Sequence, residues 1–203
     1  MGVITLTGPS CAGKSTVERV LRDKFGCGVA ISHTTRAPWP GEVDGVHYHF
    51  VTEGQFHQSK AAGEFIETIE FGSKRYAMAA SSLQQALHRS PNVVIVVEPV
   101  GAAQILDYCD QHDIGTLSCW LDCDPLTQAT RWLERVDTLD QAGTKANAER
   151  LALMLTTEAG WRANAAVGKV NLRHRYRYIN TDTERMTPEQ LAESIMFIKE
   201  LKW

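Results

Sequence analysis

Apolar and polar positions along this 203-residue chain switch between two periods. Short β-branched or apolar runs at residues 3–7, 93–97, 116–121 and 176–179 read as strands. Val93-Val-Ile-Val-Val97 is apolar without interruption, as expected of a strand covered on both faces. After the first run, Val17, Val20, Leu21 and Phe25 fall on one helical face. Near the C-terminus Thr187 is placed to cap a helix, with Pro188 in its first turn and Gln190 three residues beyond the cap. Leu191, Ile195, Ile198 and Leu201 follow at helical spacing. Strands alternating with helices predict an α/β fold with a parallel sheet between helical layers.

Two segments interrupt the alternation. Residues 32–80 read as a small mixed α/β lobe, with strands at 48–51 and 65–71 and a short helix opened by Thr52-Glu-Gly-Gln55. Residues 124–165 are helical and charged, and carry Arg131, Arg135, Arg150 and Arg162. Their length and order predict one domain spanning 1–203, with a core of 1–31, 81–123 and 166–203, the lobe of 32–80 and a helical lid of 124–165. A core with two appended lobes suits an enzyme that closes over two substrates.

Composition narrows the classes only a little. Apolar residues make up 43% and charged residues 22%, ordinary for a soluble globular protein. The net charge of −3 argues against holding nucleic acid by bulk electrostatics. The bases and aromatics interleaved between Lys169 and Tyr178 are accordingly read as a solvated strand. Five cysteines, odd in number and without a C-x-x-C pair, point to reduced thiols and a cytoplasmic setting rather than a disulfide framework. Cys119 and Cys123 lack a second ligand pair for zinc. His47 and His49, expected on one strand face, are read as a polar edge. No leader and no membrane-length apolar run is expected. Oligomeric state is left open.

The chemistry is concentrated in Gly8-Pro-Ser-Cys-Ala-Gly-Lys-Ser-Thr16, which fills G-x-x-x-x-G-K-[ST] between a strand and a helix. In that context Gly8, Pro9, Ser10, Cys11, Ala12, Gly13, Lys14, Ser15 and Thr16 form a phosphate-binding loop. Glycines let backbone N–H groups turn onto the anion, and the helix N-terminus adds its dipole. Lys14 supplies charge to the β- and γ-phosphates, and the Ser15 hydroxyl is a ligand for Mg²⁺. The loop is expected to bind a nucleoside triphosphate.

A second run, from Ser32 to Phe50, contains Pro38, Pro40, Gly41 and Gly45 and so reads as a turning loop. It would hold Arg36 and Tyr48 where both can grip one anionic group, the guanidinium as a planar fork and the phenol as a neutral donor. On local chemistry alone a solvated loop with an incidental arginine stays open.

Here the sequence resembles the guanylate kinase family. Its segment S-x-T-T-R-x-P-R-x-G-E-x-x-G-x-x-Y-x-F is matched from Ser32 to Phe50 except at Trp39, and the phosphate loop matches G-P-S-x-x-G-K-S-T. Glu64-Phe-Ile-Glu67 is similar to the family's E-F-I-E, Tyr76 to its phosphate-binding tyrosine, and Ile179-Asn180-Thr-Asp182 to a late segment near the adenine. The resemblance implies a three-layer P-loop kinase fold and Mg²⁺-dependent transfer from ATP to a purine nucleoside monophosphate, GMP or dGMP. It implies Arg36, Tyr48 and Tyr76 on the acceptor phosphate, with Ser32 and Glu42 in the same binding segment, and Glu67 reading the purine N1–H and 2-amino group. Asn180 would lie near ATP. Arg135 and Arg150 would close over the transferring phosphoryl, although their wider spacing leaves Arg131 or Arg162 able to take one role.

The chain departs from the pattern chiefly around the acceptor. Trp39 replaces a second phosphate-binding arginine, and Lys74 or Arg75 is a candidate replacement cation. Met78 replaces a serine that helps read guanine, and Ala77 a glycine. Val96 takes the first acidic position of a strand end, leaving Glu98 on the acceptor side. Two other readings therefore stand beside GMP kinase: a kinase for a deoxy- or base-modified purine monophosphate, and a non-catalytic binding module of the same fold. The intact phosphate loop speaks against the second.

Overall fold

The computed structural model describes residues 1–71, 73–137, 151–152, 154–161, 176–180 and 186–200. At its centre lies β1 (Gly2–Thr7), all six residues of which are buried. It pairs in parallel with β7 (Asn92–Val96) on one side and β8 (Gly115–Asp122) on the other. The two-residue β2 (Gly28–Val29) and β9 (Tyr176–Asn180) complete a five-stranded parallel sheet in the order β2-β7-β1-β8-β9.

Because side chains alternate along a strand, this sheet feeds two apolar clusters. Ile4, Leu6, Val94 and Leu121 pack with Val17 and Leu21 of α1 (Lys14–Phe25) and with Leu191 and Ile195 of α6 (Pro188–Glu200). On the opposite face Val3, Val93 and Ile95 pack with Leu83 of α3 (Ala80–Arg89) and Ile105 and Cys109 of α4 (Pro99–Gln111). Three layers result. Buried hydroxyls inside the sheet are satisfied locally: Thr5 Oγ1 donates to Ser118 Oγ at 2.9 Å and Thr7 Oγ1 to the Cys119 carbonyl at 3.2 Å.

A second sheet, in the order β4-β3-β6-β5, is built from β3 (His33–Thr34), β4 (His49–Phe50), β5 (Phe65–Phe71) and β6 (Lys74–Ala79). β3 and β4 are parallel, while β6 is antiparallel to both β3 and β5. A register irregularity between Phe65 and Glu67 sets Glu67 opposite Met78. The linking helix α2 (Glu53–Ala61) starts at Thr52 with a capping box to Gln55, and its one buried residue, Phe56, packs against Phe65 at 5.0 Å between ring centroids. Likewise Thr187 accepts from Gln190 N–H at the start of α6 while the Gln190 amide oxygen accepts from Thr187 N–H.

Several expected boundaries move. The strand expected at 48–51 is only His49–Phe50, because Gly45 (φ +72°) turns the chain and its N–H donates to the Tyr48 carbonyl at 2.8 Å. His47 therefore sits in that turn, its Nδ1 accepting from Val43 N–H, and does not share a strand face with His49. β6 was not expected as a strand: it begins Lys74-Arg75 and ends in three consecutive buried residues, so it lacks alternation. Arg150, Arg162, Asp182 and Leu201, with residues 169–175, lie outside the described residues. Arg135 lies on α5 (Pro125–Asp137) and Asn180 ends β9.

Candidate active site

The phosphate loop joins β1 to α1, and its shape is set by two glycines. A Cβ on Gly8 (φ +135°) would stand 1.9 Å from the Leu121 carbonyl oxygen, so only glycine lets the chain leave β1 beside β8. Gly13 (φ +86°) precedes α1 and offers no side-chain cap, so the helix N-terminus would face an anion without a competing side chain. Lys14 Nζ donates to the carbonyls of Gly8 at 2.8 Å and Pro9 at 2.7 Å, so the ammonium is folded back over its own loop. Cys11 holds a left-handed φ of +61° without being glycine.

Two segments distant in sequence grip this loop. Arg131, on α5, donates to the Cys11 carbonyl at 3.0 Å. Glu158 closes the π-helical turn Met154–Glu158 and accepts from the Ser10 N–H and hydroxyl and from Gln128 Nε2.

The loop forms one wall of a cavity of about 880 Å³ whose far wall includes Ser32, Arg36, Trp39, Glu42, Tyr48 and Tyr76. Arg36 makes a two-pronged ion pair with Glu42, at 2.7 and 2.9 Å, and its guanidinium carbon lies 4.7 Å from the Trp39 ring and 5.3 Å from that of Tyr48. Glu42 also accepts from Trp39 N–H at 2.7 Å. Partial burial works against its charge, but the Arg36 and Trp39 hydrogen bonds prevail and hold the carboxyl below its ordinary pKa. Tyr48 and Tyr76 meet edge-on at 6.0 Å; burial, and then the neighbouring Tyr76, push the Tyr48 phenol upward. Thus the sequence-nominated phosphate groups Arg36, Tyr48 and Tyr76 do meet across the cavity from Lys14. Arg75, a candidate replacement cation, is instead paired with Glu53.

Three nominated acceptor-side residues, Glu67, Met78 and Glu98, do not line this cavity. Glu67 is 5% exposed, with Oε2 lacking a hydrogen-bond partner among the described residues. Burial, and then the nearby Glu98 carboxylate, push its pKa up to about 7. Glu98 stands at the N-terminus of α4, whose Gly101 backs onto the Glu67 carboxylate. Met78 corrects the expectation that it lines the acceptor: it has no exposed surface and packs among Val3, Leu83 and Ile95. Val96 does line the cavity, as an apolar wall.

Two residues that sequence reasoning passed over join the site. Glu18 lies three residues, almost one helical turn, beyond Ser15 and lines the cavity; burial raises its pKa, offset in part by Arg22. That i, i+3 spacing was the available signal. Glu158 had none. For a divalent cation, Ser15 is exposed on the cavity wall, and among the described residues no three His, Cys, Asp or Glu side chains gather to hold one. A lone hydroxyl at this place suits a divalent cation that would be held mainly by phosphate oxygens and water.

Residues 1–114 match the family model for guanylate kinase. Over 160 residues the chain is 32% identical to the guanylate kinase of Bifidobacterium longum, covering 77% of this chain and 82% of the relative. This chain belongs to the guanylate kinase family. It is also 42% identical over 101 residues to the guanylate kinase of Pseudomonas fluorescens and 38% over 104 residues to that of Clostridium perfringens, and these matches span only about half of each relative, 49% and 48%. A crystal structure of guanylate kinase from Anaplasma phagocytophilum superposes with a TM-score of 0.63 at 19% identity, covering 99% of this chain and 85% of that one. The fold is therefore that of the P-loop kinases, three layers about a parallel sheet. The family model ends before α5, so the Arg131 and Glu158 grips lie beyond it. Among the described residues no helix is long and apolar enough to cross a membrane.

Proposed function

We propose that this chain transfers the terminal phosphoryl group of Mg-ATP to GMP, yielding ADP and GDP. The observation that carries the reading is one cavity with a phosphate loop on one wall and Arg36, Tyr48 and Tyr76 on the other. The acceptor's own phosphate oxygen is the nucleophile. Its second ionisation lies near pH ~6, so at neutral pH it needs no general base. Catalysis then consists of alignment and charge neutralisation. Lys14 releases the Gly8 and Pro9 carbonyls for the β- and γ-phosphates, and Ser15 would hold a Mg²⁺ brought by ATP, which would supply charge neutralisation there. Arg36 exchanges Glu42 for the acceptor phosphate, with its guanidinium already held against the Trp39 and Tyr48 rings.

Arg131 is the arginine we assign to the transferring phosphoryl, because it reaches the loop from α5. Arg135 and Arg150 remain candidates for a second such role. Glu67, backed by Glu98, reads the guanine N1–H and 2-amino group, and Asn180 lies on the adenine side of ATP. In domain terms 1–31, 81–123 and 166–203 form the core, 32–80 the acceptor lobe and 124–165 the lid, in a cytoplasmic monophosphate kinase. The test is ADP release coupled to a detectable reaction, run across GMP, dGMP, AMP and dAMP. GMP with the highest kcat/KM is expected; equal use of AMP would overturn the base assignment, and no ATP turnover with any acceptor would overturn the enzyme.

A further inference from the structure

The phosphate loop of this chain is built with an unusual neighbour. Glu158 is 2% exposed and lies 148 residues from Ser10 in sequence, yet its carboxylate is applied directly to the loop. Oε2 accepts from Ser10 N–H at 2.9 Å and from Gln128 Nε2 at 3.0 Å, and Oε1 accepts from Ser10 Oγ at 2.6 Å. All three partners donate, so both carboxyl oxygens of Glu158 act as acceptors here. An acidic group beside a loop made for anions works against phosphate binding unless it gives something in return.

What it gives is visible one residue further along. Cys11 occupies the left-handed region at φ +61°, which an L side chain adopts only when its surroundings impose it. On the far side of that residue Arg131 holds the Cys11 carbonyl at 3.0 Å. Gln128 and Arg131 stand three residues apart, hence on one face of α5. The wide π turn at Met154–Glu158 brings the carboxylate against the same face. The strained Ser10–Cys11 step is therefore clasped on its N–H side by Glu158 and on its carbonyl side by Arg131.

We infer that Glu158 is a positioning residue of the donor site: it clamps the Ser10–Cys11 step so that the phosphate loop holds its nucleotide-binding shape and α5 keeps Arg131 against it. The inference rests on reading residues 8–16 as the ATP site. It is independent of which acceptor is used.

The experiment titrates Mg-ATP alone, by calorimetry, into full-length wild type, Glu158→Gln, Ser10→Ala and the double variant Glu158→Gln/Cys11→Gly. Glu158→Gln keeps shape but presents a donor where only acceptors fit, and should weaken Mg-ATP binding about tenfold, the loss expected of one charge-assisted hydrogen bond. The KM for GMP should move less than about threefold, since the acceptor wall is untouched. Adding Cys11→Gly should recover most of the lost ATP affinity, because glycine holds φ +61° without a clamp. A purely architectural Glu158 would lower the melting temperature while the folded protein bound Mg-ATP as wild type does, and that result overturns the inference. Should Glu158→Gln not fold, Ser10→Ala deletes only the hydroxyl donor: Mg-ATP binding about three- to tenfold weaker supports the clamp, and unchanged binding overturns it. Wild type that binds Mg-ATP but ignores GMP would remove the acceptor assignment and leave this one standing.

Discussion

Replacing Glu67 by Gln should make the protein more stable and a worse kinase at the same time, and the size of the first effect follows from the site. The carboxyl is 5% exposed, faces Glu98, and has its pKa raised from 4.5 to about 7. Unfolded, it loses its proton near 4.5; folded, it keeps it until about 7. Between those values the folded state binds more protons, so stability falls as pH rises through this window and the loss is complete above it. At about 1.4 kcal/mol for each tenfold, the loss comes to about 3 kcal/mol. Glutamine is neutral throughout and can keep accepting from Met78 N–H. Urea melts of both proteins from pH 4 to 8.5 should therefore converge at the acid end and diverge by about 3 kcal/mol at pH 8, with the variant higher; in a chain of this size that is about 6–12 °C in Tm. Guanine binding should run the other way. Two ring donors favour the ionised carboxylate, so GMP affinity of the wild type should rise with pH up to about 7, while the variant binds GMP weakly at every pH and ATP normally. Parallel stability curves for the two proteins would refute the assignment of a raised pKa to Glu67, and equal losses for GMP and AMP would refute its role in base choice.

Lys14→Ala should lower kcat by about two to four decades while leaving the melting curve nearly unchanged, since the ammonium's bonds to the Gly8 and Pro9 carbonyls are part-buried loop contacts; near-full activity would remove the donor-site assignment. Arg131→Ala should lower kcat by about 10²–10³ with the KM for GMP nearly constant, and a KM effect without a kcat effect would shift the role to another arginine. Trp39→Arg should lower the KM for GMP by about tenfold or more, one charge-assisted contact, without changing the order of preference among nucleotides. A variant that gains GMP activity while losing a better wild-type acceptor would show that the indole serves a different substrate.

The parts legible in the sequence were those whose signal is local. β7 reads as a buried strand because all its neighbours are apolar, and the phosphate loop reads from nine contiguous residues. Thr52 and Thr187 announce their helices through reciprocal bonds three residues apart. Illegible were elements held in place from outside. β2 and β3 are two residues long and are held by the strands beside them, β7 for β2 and β4 and β6 for β3. Met78 looked like a site residue by its position in a motif, but β6 carries it inward to the core. Glu158 sits in a charged helical stretch where one more glutamate attracts no notice, and only folding across 148 positions brings it to Ser10. Trp39 was conspicuous as a departure, yet its stacking on Arg36 required the turn at 39–42 to be built.

Gly101 has a bearing on how this protein can change over generations. A methyl group there would sit 2.6 Å from Ile69 Cδ1, 2.8 Å from Val97 Cγ2 and 3.1 Å from the Glu67 carboxylate. The wall behind Glu67, the acid proposed to read the base, is thus bare helix backbone, with little room for a side chain. On the proposed reading of Glu67, selection acting on nucleobase preference meets a crowded wall on that side: a side chain at 101 would press on Ile69, Val97 and the Glu67 carboxylate together. On that reading, drift toward another purine runs most directly through Glu67 itself, whereas the exposed Trp39 leaves phosphate affinity free to be tuned gradually.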